Sequence, residues 1–276
     1  MPEGDSLKLT ADRLNQALAG APLVRAELRW PSLGGIELRG LTIKEVVPYG
    51  KNTLFRLSDD RTLHTHLRMD GHWRVARTGT RDAGGNDPKY RAVLANSTWT
   101  ALGWLLGMMN LVRTADEGRL LGHLGPDVLA PDFAVAGVDE AVRRFFAADV
   151  ARPLCVALMD QQMVAGIGTI WMAESLCFER IYPWTMVAEL DSARLRRLLL
   201  TASRLMSRSV ATARSRGLGA DGMLAHGRHH KPCRRCGALI ALGATTSPDK
   251  RPDQGVGGER VVYWCPRCQA PGRAVV

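Results

Sequence analysis

Three features predict a multidomain α+β chain: a β-sandwich opened by one helix, a helical middle segment and a small C-terminal ribbon. Leu7, Ala11, Leu14 and Leu18 recur at helical spacing, and short runs with strand-like alternation follow them. Beyond Pro126 and Pro131 the apolar spacing turns helical again. Two Cys-x-x-Cys pairs close the chain.

Taken in order, Asp5 or Ser6 is expected to cap the first helix and Gly20 to end it. Strands are expected at Ile36-Glu37-Leu38-Arg39, Thr42–Val47, Thr53–Leu57 and Thr62–Leu67, with an exposed loop over 78–90. Ala101–Val112 reads as a buried strand pair. Gly125-Pro126-Asp127 with Pro131 marks a boundary, so residues 1–130 form the sandwich. Residues 131–225 carry a helix over Asp139–Ala148 and a second from Pro153 through Ala157, Leu158 and Gln161. Ala165-Gly166-Ile167-Gly168 interrupts, and Ile170, Ala173 and Leu176 resume. Asp191 or Ser192 caps a long helix ending near Arg216-Gly217. Its apolar face holds Leu195, Leu198, Leu199, Ala202 and Leu205, and Arg194, Arg196, Arg197, Arg204 and Arg208 read as a solvated face. In residues 226–276, Leu239–Leu242 and Val261–Trp264 read as paired strands joined through a loop over Thr246–Glu259.

The 276 residues are 46% apolar, enough for real cores, and carry a net charge of +10. That charge points to a polyanionic partner. It is concentrated: residues 226–276 hold 9 basic and 3 acidic side chains, a net of +6. No segment reaches the roughly 18 apolar residues of a membrane span. Glu3 and Asp5 stand where a secretory signal needs basic residues. The expectation is a cytoplasmic monomer with no membrane partner.

Cys233-x-x-Cys236 and Cys265-x-x-Cys268, 28 residues apart, have the spacing of two knuckles that complete a four-thiolate zinc cage. One closed site of this kind is structural. Cys155 and Cys177 fall outside the pattern and read as core residues. At the other end, removal of Met1 makes Pro2 a free secondary amine beside the Glu3 carboxylate. Such an amine can attack a sugar C1′ carbon and form an iminium. The glycines of Asp160–Ile170 suit a tight turn that offers backbone N–H groups to a phosphate.

Together these motifs resemble the formamidopyrimidine-DNA glycosylase/endonuclease VIII family, in its endonuclease VIII-like bacterial branch. The resemblance rests on Met-Pro-Glu-Gly at the start, Tyr49-Gly50-Lys51, His66-Leu67-Arg68-Met69-Asp70-Gly71 and Leu124-Gly125-Pro126-Asp127-Val128-Leu129. The Asp160–Glu174 segment and Arg260–Gln269 complete it, so it spans nearly the whole chain in order. It implies a catalytic sandwich over 1–130, a helix–two-turns–helix DNA-binding domain over 131–225 and a zinc ribbon over 226–276. It implies a bifunctional DNA glycosylase/AP lyase acting on oxidised bases, pyrimidines foremost, in duplex or single-stranded DNA. Pro2 is then the Schiff-base nucleophile, Glu3 the acid/base, Lys51 the lysine of β-elimination and Arg260 the arginine of δ-elimination. Arg68 and Met69 fill the gap left by a flipped base, and His123, Gly168 and Thr169 contact phosphates.

Three departures stand out. The family usually has asparagine at Thr169 and often glutamate at Ser6, and the ribbon is lengthened over Thr246–Glu259. The alternative these motivate is a catalytically weakened paralogue that binds damaged or abasic DNA without efficient turnover. A zinc-ribbon adaptor accounts for the tail but not for the N-terminal motif.

Overall fold

The computed structural model describes residues 2–219, 222–249 and 259–272. The chain divides into two compact units, residues 1–123 and 124–276. In the first, helix α1 (Gly4–Leu18) buries Leu7, Ala11, Leu14 and Leu18, the apolar stripe seen in the sequence. Its N-cap is Glu3, two residues ahead of the earliest position expected. The reason is local: Ser6, at the third helical position, accepts the Glu3 N–H on its hydroxyl at 3.0 Å and donates to the Glu3 carbonyl at 2.9 Å. Gly20, with φ +83, ends the helix as expected.

Strands β1 (Arg25–Leu28), β2 (Ile43–Tyr49), β3 (Asn52–Leu57), β4 (Arg61–His66), β5 (His72–Arg77), β6 (Tyr90–Ala95), β7 (Trp99–Trp104) and β8 (Met108–Arg113) follow. They form two antiparallel sheets, ordered β1-β6-β7-β5 and β2-β3-β4-β8. One core joins both sheets to α1 through Leu14, Leu18, Phe55, Leu63, Leu94 and Ala101. This is the expected β-sandwich. Ile36–Arg39, expected as a strand, is irregular over 36–38 and enters a turn at Arg39. The stretch lies between Gly35 and Gly40, both at positive φ, and the Arg39 N–H bonds the Glu37 carboxylate at 2.7 Å instead of a neighbouring strand. The Ala101–Val112 stretch holds two strands, but they belong to different sheets. Leu105, at φ +43, turns the chain from one sheet to the other.

Helix α2 (Glu117–Leu121) closes this unit. The second unit carries α3 (Val138–Ala147), α4 (Leu154–Ala157), α5 (Thr169–Phe178) and α6 (Ser192–Arg216) around Phe133, Phe145, Leu158, Met172, Leu198 and Met206. Helix α4 stops four residues before the expected Gln161. There the side chains of Asp160 and Gln161 bond the backbone N–H groups of Gln162 and Gly166 at 2.9 and 3.0 Å, replacing helix with turns. Asp191 caps α6 through the Arg194 N–H at 2.7 Å. Arg197, Arg204 and Arg208 on it are exposed, as expected, while Arg196 pairs with Asp139, Arg197 pairs with Glu179, and Arg204 lies over the Phe178 ring.

Strands β9 (Ala241–Ala244) and β10 (Val261–Trp264) form an antiparallel pair with Leu242 opposite Tyr263. The first starts two residues later than expected, since Leu239 bridges Pro232 at the knuckle instead. Most of the Thr246–Glu259 stretch, and Ala220–Asp221 of the loop after α6, lie outside the described residues. No helix among the described residues is long and apolar enough to cross a membrane.

Candidate active site and metal centre

Pro2 is half-buried and Glu3 is 1% exposed, and both stand at the N-terminus of α1. The positive end of the helix dipole makes the position electropositive, which disfavours a protonated amine and favours an anion. Ser6 therefore does not supply a second carboxylate. It fixes the peptide of the residue next to Pro2.

Lys51 occupies the second position of the two-residue turn between β2 and β3, and Gly50 takes the first at φ +55. That is the chemistry of a type II′ hairpin, whose first central residue needs positive φ. Arg68 begins the loop after β4, and its N–H donates to His66 Nδ1 at 2.9 Å. Burial lowers the His66 pKa, and the charges of Lys51 and Arg68 lower it further, so this face of the sheet gathers positive charge around a neutral imidazole. Met69 is 54% exposed, so it is not a core residue. A side chain at Gly71 would come within 2.5 Å of the Leu67 carbonyl, so the loop carrying Met69 closes only with glycine there. His123 is exposed beyond α2.

A neighbouring buried group went unread in the sequence. His64 donates from Nε2 to Asn52 Oδ1 at 2.8 Å and accepts from Asn110 on Nδ1 at 3.2 Å. Burial pulls its pKa down to about 4. A base with a folded pKa below its unfolded value holds full stability above about 6.5 and loses it as pH falls toward 4. The protein is expected to lose up to about 1.4 kcal/mol per pH unit in that window from this residue. Thermal melts of the His64→Gln variant across pH 4–7 check this, because the acid limb should flatten.

In the second unit, Gly168 is the N-cap of α5 and Thr169 its first residue, both buried. The Gln161 amide donates to the carbonyls of Met159 and Ile167 at 2.8 and 2.9 Å while accepting from Gly166. One side chain thus sets the two turns ahead of α5. The Leu124–Leu129 motif wraps the same turns. Gly125 N–H bonds the Gln161 carbonyl at 2.8 Å, and a Cβ at Gly125 would lie 2.3 Å from the Met163 carbonyl oxygen. Glu174, 4% exposed, accepts the backbone N–H groups of Leu224, Ala225 and His226 at 2.7, 2.9 and 2.8 Å. Burial raises its pKa against those three bonds. Glu174→Ala should cost on the order of 3 kcal/mol in urea unfolding, since it strands three donors.

Arg260 is exposed at the start of β10, its N–H on the Thr245 hydroxyl at 3.2 Å. Close by in sequence, Cys233, Cys236, Cys265 and Cys268 bring their sulfurs within 4.8 Å of one another. Cys233–Cys268 and Cys236–Cys265 are 4.0 and 3.4 Å apart, against the ~3.8 Å edge of a tetrahedron with 2.3 Å Zn–S bonds. The N–H groups of Arg235 and Cys268 point at Cys233 and Cys265 sulfurs at 3.5 and 3.4 Å, as thiolates prefer. The donor set fits a metal. Cys155 and Cys177 stand apart, their thiols pushed up to about 12 by burial, as core residues do.

Sequence comparison matches residues 1–102 to the formamidopyrimidine-DNA glycosylase N-terminal domain and residues 124–217 to the formamidopyrimidine-DNA glycosylase H2TH domain. A probable endonuclease 8 of Streptomyces coelicolor is 40% identical over 98% of this chain and 94% of its own length. A DNA-(apurinic or apyrimidinic site) lyase of Mycolicibacterium smegmatis is 33% identical over 98% and 99%. The fold matches Lactococcus lactis formamidopyrimidine-DNA glycosylase, crystallised non-covalently with abasic-site DNA, at a TM-score of 0.79 and 21% identity over 97% of this chain and 99% of that one. With both domain profiles met in order and relatives of this identity along almost its entire length, the chain belongs to the formamidopyrimidine-DNA glycosylase/endonuclease VIII family of DNA glycosylases and AP lyases.

Proposed function

We propose that this protein excises oxidised bases, pyrimidines foremost, and then cuts the abasic strand by β- and δ-elimination. The observation that carries the reading is Pro2–Glu3 at the N-terminus of α1, an amine and a buried carboxylate on adjacent residues. The Pro2 nitrogen attacks C1′ as the base leaves with the glycosidic electron pair, and the departing base takes up the proton that the nitrogen sheds. Glu3 gives a proton to the ring oxygen, the ring opens, and the nitrogen lone pair forms the C1′ iminium. The iminium acidifies C2′: loss of that proton expels the 3′ phosphate, and loss of the C4′ proton then expels the 5′ phosphate. Water releases the sugar remnant and restores the amine. Lys51 serves the first elimination and Arg260 the second, both by favouring departure of a phosphate.

Met69, exposed and flexible, is the wedge for the flipped base's gap with Arg68 beside it. Gly168 and Thr169 at the α5 N-terminus, and His123, hold phosphates. We assign the four-cysteine centre to one structural zinc ion: with four sulfurs it has no open position for substrate. The test is borohydride reduction of the protein mixed with an abasic or 5-hydroxyuracil duplex. An iminium becomes a permanent cross-link, and strand cleavage appears without borohydride. Tight binding with neither product supports the weakened paralogue, which Thr169 and Ser6 favour.

A further inference from the structure

Lys51 sits at the tip of a hairpin, where a long side chain ordinarily wanders. A chain of largely buried hydrogen bonds ends on that turn. Asn110 on β8 donates to His64 Nδ1 at 3.2 Å, His64 Nε2 donates to Asn52 Oδ1 at 2.8 Å, and Asn52 Nδ2 donates to the Tyr49 carbonyl at 3.1 Å. The order is forced. The Asn52 amide nitrogen is spent on the turn carbonyl, so its oxygen faces the imidazole. The imidazole must then be the neutral Nε2–H tautomer, with Nδ1 free to accept.

Burying His64 and Asn52, with Asn110 half-buried beside them, costs more than an apolar trio of the same volume, so stability alone does not select them. Their geometry points elsewhere. Tyr49 and Asn52 are the register pair that flanks Gly50 and Lys51, so the chain fixes both the last rung and the turn carbonyl of the lysine's own hairpin. The next outward residue of β4 on the same alternation repeats the device, His66 accepting the Arg68 N–H at 2.9 Å. Two histidines of one strand thus each tie down one loop, the first carrying Lys51 and the second carrying Arg68 and Met69.

We infer that Asn110, His64 and Asn52 are positioning residues that hold the Lys51 hairpin at the geometry its reaction step requires. This rests on the assignment of Lys51 to elimination given above. Loss of the relay leaves the lysine present but misplaced, which lowers rate rather than affinity.

The test uses single-turnover cleavage of an abasic duplex by the full-length, zinc-loaded protein. His64→Leu and Asn110→Ala are each expected to slow cleavage about tenfold with Kd for the duplex unchanged. His64→Gln, whose amide N–H can still reach Asn52, should recover most of that loss. In a Lys51→Ala background His64→Leu should cost nothing further, because there is no lysine left to position. Equal losses in both backgrounds, or a change in Kd alone, overturn the relay and leave Lys51's role intact. A wild-type rate from Lys51→Ala alone overturns that role and the relay with it. Should His64→Leu fail to fold, Asn110→Ala at its half-buried site makes the same comparison.

Discussion

Borohydride is expected to fix the protein irreversibly to abasic DNA when Pro2 is the first residue, and to leave it free when one additional residue precedes Pro2. The extension changes no side chain. It converts the ring nitrogen from an amine into an amide, whose lone pair is delocalised and cannot attack C1′. Iminium formation is expected to fall at least about 10³-fold, the scale on which an enzyme loses its covalent nucleophile. Glu3→Gln should separate the two roles at this site. The amine survives, but the proton for the opening ring is gone, so adduct formation should slow by roughly 10²–10⁴-fold. Because Glu3 is 1% exposed and caps α1, its variant must be compared at equal folded fraction, measured by thermal melting. An extended chain that still cross-links at the native rate removes Pro2 as the nucleophile. Intact mass of the active species decides whether Met1 is absent from it.

Much of this architecture was legible because apolar period reports burial directly. The α1 stripe, the strands from Thr42 to Leu67 and the α6 face emerged with boundaries off by a residue or two. Several of the failures share a cause, which is side chains bonding backbone. Glu37, Asp160, Gln161 and Ser6 each moved an element boundary by capturing an N–H, or by holding the one before the helix, and polarity patterns do not encode which amide a carboxylate takes. Ala101–Val112 shows a second limit, since alternation marks two strands without saying that they enter different sheets. At the candidate site, Pro2, Glu3 and the cysteines were readable from chemistry and spacing. His64, Asn110 and Glu174 were not. His64 and Asn110 bond each other across 46 residues, His64 reaches Asn52 across 12, and Glu174 reaches its partners across 50 to 52, on separate elements that no local window joins.

Replacing Cys265 with serine, or stripping metal with a strong chelator, is expected to dissolve the ribbon while leaving the sandwich intact. The cluster at the knuckles is Cys233, Ile240, Cys265 and Cys268, so three of its four buried members are ligands, while Val262 of β10 packs into the helical core. Two four-residue strands do not hold themselves together in water. A structural zinc in a peptide of this size contributes about 10–16 kcal/mol on binding, so a metal held here would stand in for a hydrophobic core. Purified protein should hold one zinc per chain, and the Cys265→Ser variant close to none. The loss should reach the helical unit as well, because the Trp184 indole donates to the Ala244 carbonyl at 3.1 Å and packs 5.6 Å from Trp264. That unit should melt earlier, while the sandwich transition stays put. Arg260 loses its fixed place at the start of β10. If it grips one phosphate, the slope of log K against log salt should become shallower by about 0.9. Native protein with zinc well below one per chain, or an unchanged hairpin in Cys265→Ser, would remove the metal as the ribbon's organising element. A full zinc complement with an unchanged salt slope would instead remove Arg260 from the DNA contacts and leave the metal in place.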